Sequence, residues 1–174
     1  MRSILLFALL ALAATSAFAQ KTTAKKTDPA PGSQLVMTIE HNGEKKEVSY
    51  AQFLNHDGNA MKDGGSSTKL IFFYGASNDK DDRSFSFNGW INVPAKGTYT
   101  INEHDSTGSF NVISSDFPNV PMFISKSGSI EVTAAPLTGG MVEGTFSAEC
   151  EAITTAGTIE TYHISGSFKL KRMS

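Results

Sequence analysis

The chain has 174 residues, one cysteine, six prolines, fifteen glycines and a formal charge of −2 at pH 7. That balance gives no electrostatic footprint for nucleic acid, and no basic amphipathic stretch suits a membrane surface. A lone cysteine excludes an internal disulfide.

In chain order, residues 1–19 read as a secretory signal peptide. Arg2 is the basic start, Ile4 to Ala14 is an unbroken apolar run, and Ala17 and Ala19 are the small residues for cleavage before Gln20. The run is about half of what a membrane-spanning helix needs. A soluble exported chain is therefore expected, and Gln20 in place of a cysteine argues against a lipid anchor. Arg2 is the only charge in this segment, so the mature chain carries −3. Residues 20–34, QKTTAKKTDPAPGSQ, hold three lysines, two prolines and no large apolar residue, and are expected to be a flexible linker. Residues 35–174 are then one domain, long enough to bury about two thirds of its unfolded surface.

From Leu35 the signals are strands and turns. LVMTIE and EVSY flank Asn42-Gly43, a pair that tolerates the positive φ of a tight hairpin. In SYAQFLN, Ser49 and Gln52 have capping-box spacing, and Tyr50, Phe53 and Leu54 fit one helical face, so a short helix near 50–55 fits the pattern. KLIFFYG is apolar on both parities and predicts a central strand, Leu70 to Tyr74, buried on both faces. RSFSFNGWINV alternates strictly. TYTIN, SFNVI, PMFIS, SIEVTA, VEGTFSAECEAI and ETYHISGSFKLK follow, separated by PAKG, EHDSTG, PLTGG and TTAG. About ten short strands with glycine-rich turns predict an all-β antiparallel sandwich or flattened barrel.

Gly108, Gly128, Gly144 and Gly166 each precede a Ser or Thr and then a Phe or Ile. Their irregular spacing excludes a solenoid. A packing device is expected, in which a neighbouring aromatic lies across the bare backbone. The segments SGSIEVT, GGMVEGTFSAEC and HISGSFKLKR resemble the closing hairpins of a group of uncharacterised exported bacterial β-domains, whose pattern runs G-x-I-x-I-T, V-x-G-T-F-S-F and a final G-x-F. AKGTYTI resembles the same group's G-T-Y-x-L segment, while Ala148 departs from the pattern's Phe. The resemblance implies an exported sandwich and no particular activity.

Chemistry-bearing residues are sparse. In VEGTFSAECEAI the alternation puts Cys150 on the core face with Phe146 and Ala148, where burial raises a thiol's pKa and Glu149 and Glu151 raise it further. His41, His56, His104 and His163 lack metal-ligand spacing, and the first three sit in turn-like segments expected to be solvated. The acidic loop 77–83 invites calcium, but a cation interrupts each oxygen ladder and both the bidentate Glu and the turn glycine are missing. Neither a metal nor a cofactor is expected, and no catalytic residue stands out.

Two surfaces remain. In the strand from Arg83 to Val93, Phe85, Phe87, Gly89, Ile91 and Val93 form the apolar face, leaving Trp90 among Ser86, Asn88 and Asn92. A Trp among amides offers a stacking platform for a sugar ring or an aromatic ligand, unless it packs under a loop or Gly89 marks a bulge that turns the indole inward. The second is the loop SDFPNVPMF, where Phe117, Val120 and Met122 offer a partner contact or cap the core, stiffened by Pro118 and Pro121. The expected function is an exported, non-catalytic binding or interaction module for a glycan or an envelope component. The alternative is a secreted hydrolase with carboxylates converging in a cleft.

Overall fold

The computed structural model describes residues 32–62, 68–136 and 138–173. The expected signal peptide and nearly all of the linker lie outside the described residues. The packed domain takes in Ser33 and Gln34 as well as the expected 35–174: Gln34 pairs with Lys169, and the buried Ser33 hydroxyl donates to the Gly58 carbonyl.

Among the described residues ten strands form: β1 Gln34–His41, β2 Glu44–Ser49, β3 Asn55–Lys62, β4 Leu70–Asn78, β5 Arg83–Ile91, β6 Gly97–Ile101, β7 Gly108–Ser114, β8 Phe123–Ala134, β9 Met141–Ile153 and β10 Ile159–Arg172. Asn42 (φ 52°) and Gly43 (φ 82°) make the two-residue β1–β2 turn with both central residues left-handed, as the Asn-Gly pair predicts.

The expected number of strands is reached by two offsetting departures. PMFIS and SIEVTA are one strand, β8, kept continuous by a bulge that shifts register between Ser125 and Ser127. β3 carries no alternating apolar signal, because its inward positions are the small Gly58 and Ala60. A Cβ on Gly58 would lie 2.3 Å from Tyr74 Cδ2 and 2.7 Å from Leu170 Cδ2, so the neighbours' side chains fill the space this strand leaves. The helix expected near 50–55 is a single 3₁₀ turn, Tyr50–Gln52, whose Ser49 makes no side-chain cap. Phe53 turns into the core while Leu54 faces solvent, so the two do not share a helical face.

The strands hydrogen-bond in the order β2-β1-β10-β3-β4-β5-β7-β8-β6, and β9 closes the ring by pairing with both β10 and β8. All pairings are antiparallel except a two-residue parallel contact of β10 with β3. The ring is flattened, so β3-β4-β5-β7 packs across a phenylalanine core onto β8, β9 and β10. Phe87 of β5 lies 4.8 Å from Phe146 of β9, and Phe72 of β4 lies 5.1 Å from Phe168 of β10.

The glycine repeat shapes this core. Gly144 pairs with Phe168 and Gly166 with Phe146 across β9 and β10. A Cβ at either glycine would fall within 2.7 Å of its partner's ring, so each bare backbone is the bed for one ring. At Gly128 the neighbour is Ala148 instead.

β4 departs from expectation in one respect that bears on function. It is central in its sheet, but only one face is buried: Phe72 and Tyr74 are inaccessible, whereas Ile71 is 37% and Phe73 49% exposed. The second apolar parity is an uncovered outer surface.

Candidate functional site

Strand register builds the outer face of β3-β4-β5-β7 in rows. Met61, Ile71, Trp90 and Ser109 stand opposite one another in one row, and Asn59, Phe73, Asn88 and Asn111 in the next. A third row runs Asp57, Gly75, Ser86, Ile113. Pairing continues unbroken through Gly89, so no bulge turns the indole inward, and Trp90 stays half-buried on the outer side.

Three features single out this face as the candidate site. Phe73, 49% exposed, reaches along its strand to the bare backbone of Gly75, its Cζ 3.5 Å from where a Cβ there would be. Asn88 Nδ2 donates to Asn111 Oδ1 at 3.2 Å, which fixes an amide pair beside both aromatics. A depression of about 340 Å³ opens among Lys69, Ile71, Asn88, Trp90, Ser109 and Asn111. The Lys69 ammonium stands 4.3 Å from the centroid of the Trp90 ring.

Of the four residues singled out from the sequence, Trp90 and Asn88 line this depression. Ser86 is on the same face, one row beyond Asn88. Asn92 has left the strand; its backbone N–H donates to Thr107 O and its carbonyl accepts from Thr68 Oγ1. Val93, expected on the apolar face, is exposed just past the strand end. Phe73, Lys69 and Asn111 were not legible as site residues. The signal for Phe73 was its parity in KLIFFYG, which reads equally well as a doubly buried strand.

The loop containing Phe117, Val120 and Met122 closes one end of the sandwich. Val120 is buried, and Phe117 packs edge-on to Phe123 at 5.3 Å, which leaves Met122 as the exposed apolar residue of the three. Beside this loop a cavity of about 530 Å³ is bounded by Asp116, Phe117, Thr158, Glu160 and Tyr162 among others. Arg83 grips Asp116 through Nε at 3.0 Å and Nη2 at 2.9 Å. The Arg83 hydrogen bond, aided by Lys46, holds the Asp116 carboxyl below its usual range. Tyr162 donates to Glu160 Oε2 at 2.7 Å, and burial followed by the Glu160 contact pushes its phenol up to about 12.

A third constellation spans β9 and β10. His163 Nδ1 donates to Glu149 Oε1 at 2.9 Å, and His163 Nε2 is 3.2 Å from Ser147 Oγ. The order is that of a nucleophile, base and orienting acid. It stands on an open sheet surface where Ser147 pairs with Ser165 on one side and Ser129 on the other. The surrounding N–H groups are spent in those ladders, leaving none to stabilise an oxyanion. The serine's contact is a surface hydrogen bond.

Cys150 faces the core, fully buried, without a disulfide partner. Burial, then the Glu149 charge, pushes its thiol up to about 12, which makes it a poor nucleophile. Two of the histidines expected in solvated turns are in strands. His41 ends β1, stacked on Tyr162 at 4.2 Å, and His56 is half-buried in β3, 5.3 Å from the Tyr50 ring. Among the described residues no group of three His, Cys, Asp or Glu could hold a metal ion, and no helix is long and apolar enough to cross a membrane.

The described residues thus form an all-β sandwich, a ten-stranded sheet closed into a flattened ring, with a candidate aromatic and amide surface on one face. Comparison with protein-family models, with curated proteins and with solved structures found no match to it.

Proposed function

We propose that the chain is an exported, non-catalytic binding module whose β3-β4-β5-β7 outer face takes a sugar ring. The observation that carries this is the exposed Phe73 and the partly exposed Trp90 on one sheet face, with the hydrogen-bonded Asn88–Asn111 amides beside them. A pyranose has an apolar C–H face that stacks on aromatic rings and a rim of hydroxyls that amides can bond. Glycans of the cell envelope are the ligand class this chemistry fits. An export signal at residues 1–19, a periplasmic or extracellular address, and the resemblance to exported bacterial β-domains support the same reading.

The alternative, a hydrolase using cleft carboxylates, has its best support in the end cavity, which Asp116 and Glu160 both line. A glycosidase needs one of its two carboxyls protonated near the working pH. Asp116, held ionised by Arg83, fits only the base or nucleophile role, so the acid would have to be Glu160, whose Oε2 already accepts the Tyr162 hydroxyl. The binding module is therefore the better account.

The test is a glycan panel titrated against the exported protein by calorimetry, which reads the wild type and the Trp-free variant alike. Binding that is weakened by about 1–3 kcal/mol in Trp90→Ala supports the proposal. A chain that binds no glycan, or binds one equally well after Phe73→Ser and Trp90→Ala, refutes it. Mass spectrometry of the same preparation should find Gln20 at the N-terminus.

A further inference from the structure

The end cavity is lined from two stretches, 116–120 and 154–162, both wholly within the described residues, and its lining holds two carboxylates and no lysine or arginine. The carboxylates are compensated unequally. Asp116 takes Arg83 Nε and Nη2 at 3.0 and 2.9 Å, with Lys46 Nζ 3.7 Å from Oδ2, so its charge is balanced within the protein. Glu160 has only neutral company among the described residues. The Tyr162 hydroxyl donates to its Oε2 at 2.7 Å, and His41 Nε2 stands 3.6 Å from the same oxygen. His41 Nδ1 donates to the Thr161 carbonyl at 2.8 Å while Nε2 accepts from Asn42 Nδ2 at 2.9 Å, the pattern of an uncharged imidazole. Glu160 therefore lines the cavity with its charge unmatched, and its Oε1 accepts no hydrogen bond from the described residues.

From this we infer that the end cavity binds a small organic ammonium ion, its ammonium on Glu160 and its hydrocarbon body against Phe117 and Pro118. A volume of about 530 Å³ is that of a small-molecule site. The ammonium supplies the positive charge that Glu160 lacks, and its N–H groups find acceptors in Oε1 and in the Thr154 and Thr158 hydroxyls, which also line the cavity. Phe117 and Tyr162 add aromatic rings, to which a cation is attracted. An anion would meet the Glu160 charge with no lysine or arginine in the lining to offset it, and a neutral ligand would leave that charge unmatched. The site is separate from the proposed sugar face: Arg83, which holds Asp116, opens β5, whereas Trp90 lies near the other end of that strand, roughly 20 Å away.

The experiment titrates the full exported chain at low salt with phenethylammonium, with phenethyl alcohol as its neutral counterpart and hydrocinnamate as its anionic one, and follows backbone amide signals by NMR. Phenethylammonium should move the amides of Phe117, Thr155 and Thr158 and leave the Trp90 indole signal in place. It should bind about three- to tenfold more tightly than the alcohol, the range of one partly exposed ion pair with an aromatic contact, and hydrocinnamate should bind weakest. Glu160→Gln keeps the side chain's shape and an acceptor for Tyr162, at a position 37% exposed, and the same spectrum reports its fold. It should abolish the preference for the ammonium while leaving the alcohol's affinity unchanged. Glu131→Gln removes the same charge from an exposed position on β8 and should leave the preference intact. Equal affinities of the ammonium and the alcohol for the wild-type chain overturn the inference, as does binding that leaves the cavity amides unmoved. A preference that survives Glu160→Gln, or that Glu131→Gln removes as well, overturns it too. None of these results bears on the sugar face, whose test is the glycan panel.

Discussion

Phe72 and Phe73 are adjacent, chemically identical and on opposite faces of β4, so their truncation separates core from site. Phe72 is inaccessible and lies 5.1 Å from Phe168 across the core. Removing a buried phenyl forfeits its transfer free energy and leaves a cavity, so Phe72→Ala should cost about 3–5 kcal/mol. Phe73 is 49% exposed and its ring rests on Gly75 backbone with solvent beyond. Truncation there leaves no enclosed cavity and loses about half of a full phenyl burial, roughly 1 kcal/mol. In a domain of this size 1 kcal/mol moves the melting temperature by about 2–4 °C, so Phe72→Ala should fall by about 6–20 °C and Phe73→Ala by about 2–4 °C. Urea denaturation with a shared m-value is the second measurement. Equal losses at the two positions would mean that the outer face is covered, and the site described here would not exist.

Cys150 should react with a thiol reagent far more slowly in the native chain than in denaturant. Its thiol is held at about 12 against an ordinary 9.0, so its stabilisation is intact below pH 9 and is lost at up to about 1.4 kcal/mol per pH unit as pH rises from 9 toward 12. Cys150→Ala should remove the part of the alkaline loss that begins near pH 9. Asp116 has the opposite sign: its lowered pKa stabilises the fold above the ordinary carboxylate range and is lost as pH falls through the folded value. Asp116→Asn should cost about 1.5–3 kcal/mol at pH 7 and flatten the acid limb. Tyr74 is buried with its hydroxyl unpartnered among the described residues, so Tyr74→Phe should be neutral or stabilising by about 1 kcal/mol in thermal melts. Gly166→Ala would put a methyl 2.2 Å from the Val36 carbonyl and 2.7 Å from Phe146 Cζ and should cost about 3 kcal/mol or more, whereas Gly75→Ala, with 3.5 Å of clearance, should cost under about 1 kcal/mol.

The alternation of large apolar residues carried most of the fold. It placed Phe85, Phe87, Phe146, Cys150 and Phe168 inward, and the Asn-Gly pair marked the first hairpin. Failures came where side-chain size rather than polarity identifies the inner face. Asn55–Lys62 is a strand whose inward residues are small because Tyr74 and Leu170 reach across to them. No local pattern records that. KLIFFYG failed for the reverse reason, since an exposed binding surface and a buried second face have the same composition. Trp90 was legible because its neighbours Asn88 and Ser86 are polar. Lys69 and Asn111 reach the site only through register with β5, which is a property of pairing and not of any one segment. The Ser147–His163–Glu149 chain is likewise a product of β9–β10 register.

The exposed apolar residues of β4 take on meaning when set beside the sheet edges. An exposed edge invites strand pairing with another chain, and both free edges here are guarded. β2 carries Glu44, Lys45, Lys46 and Glu47 in succession. β6 is closed at Thr100, whose carbonyl accepts from the Thr107 N–H at 2.9 Å and whose N–H donates to Thr107 Oγ1 at 2.8 Å. On β8, β9 and β10 the middle row Ser129, Ser147 and Ser165 exposes little hydrocarbon, and the exposed Ile124, Ile153 and Ile159 stand at the strand ends. Against that background Met61, Ile71 and Phe73 are left bare in the middle of a sheet, beside an aromatic with a cation parked on it. Substituting polar residues there would cost the fold little, since these side chains contribute little to the core. Apolar side chains at these positions are what the proposed ligand-stacking surface calls for.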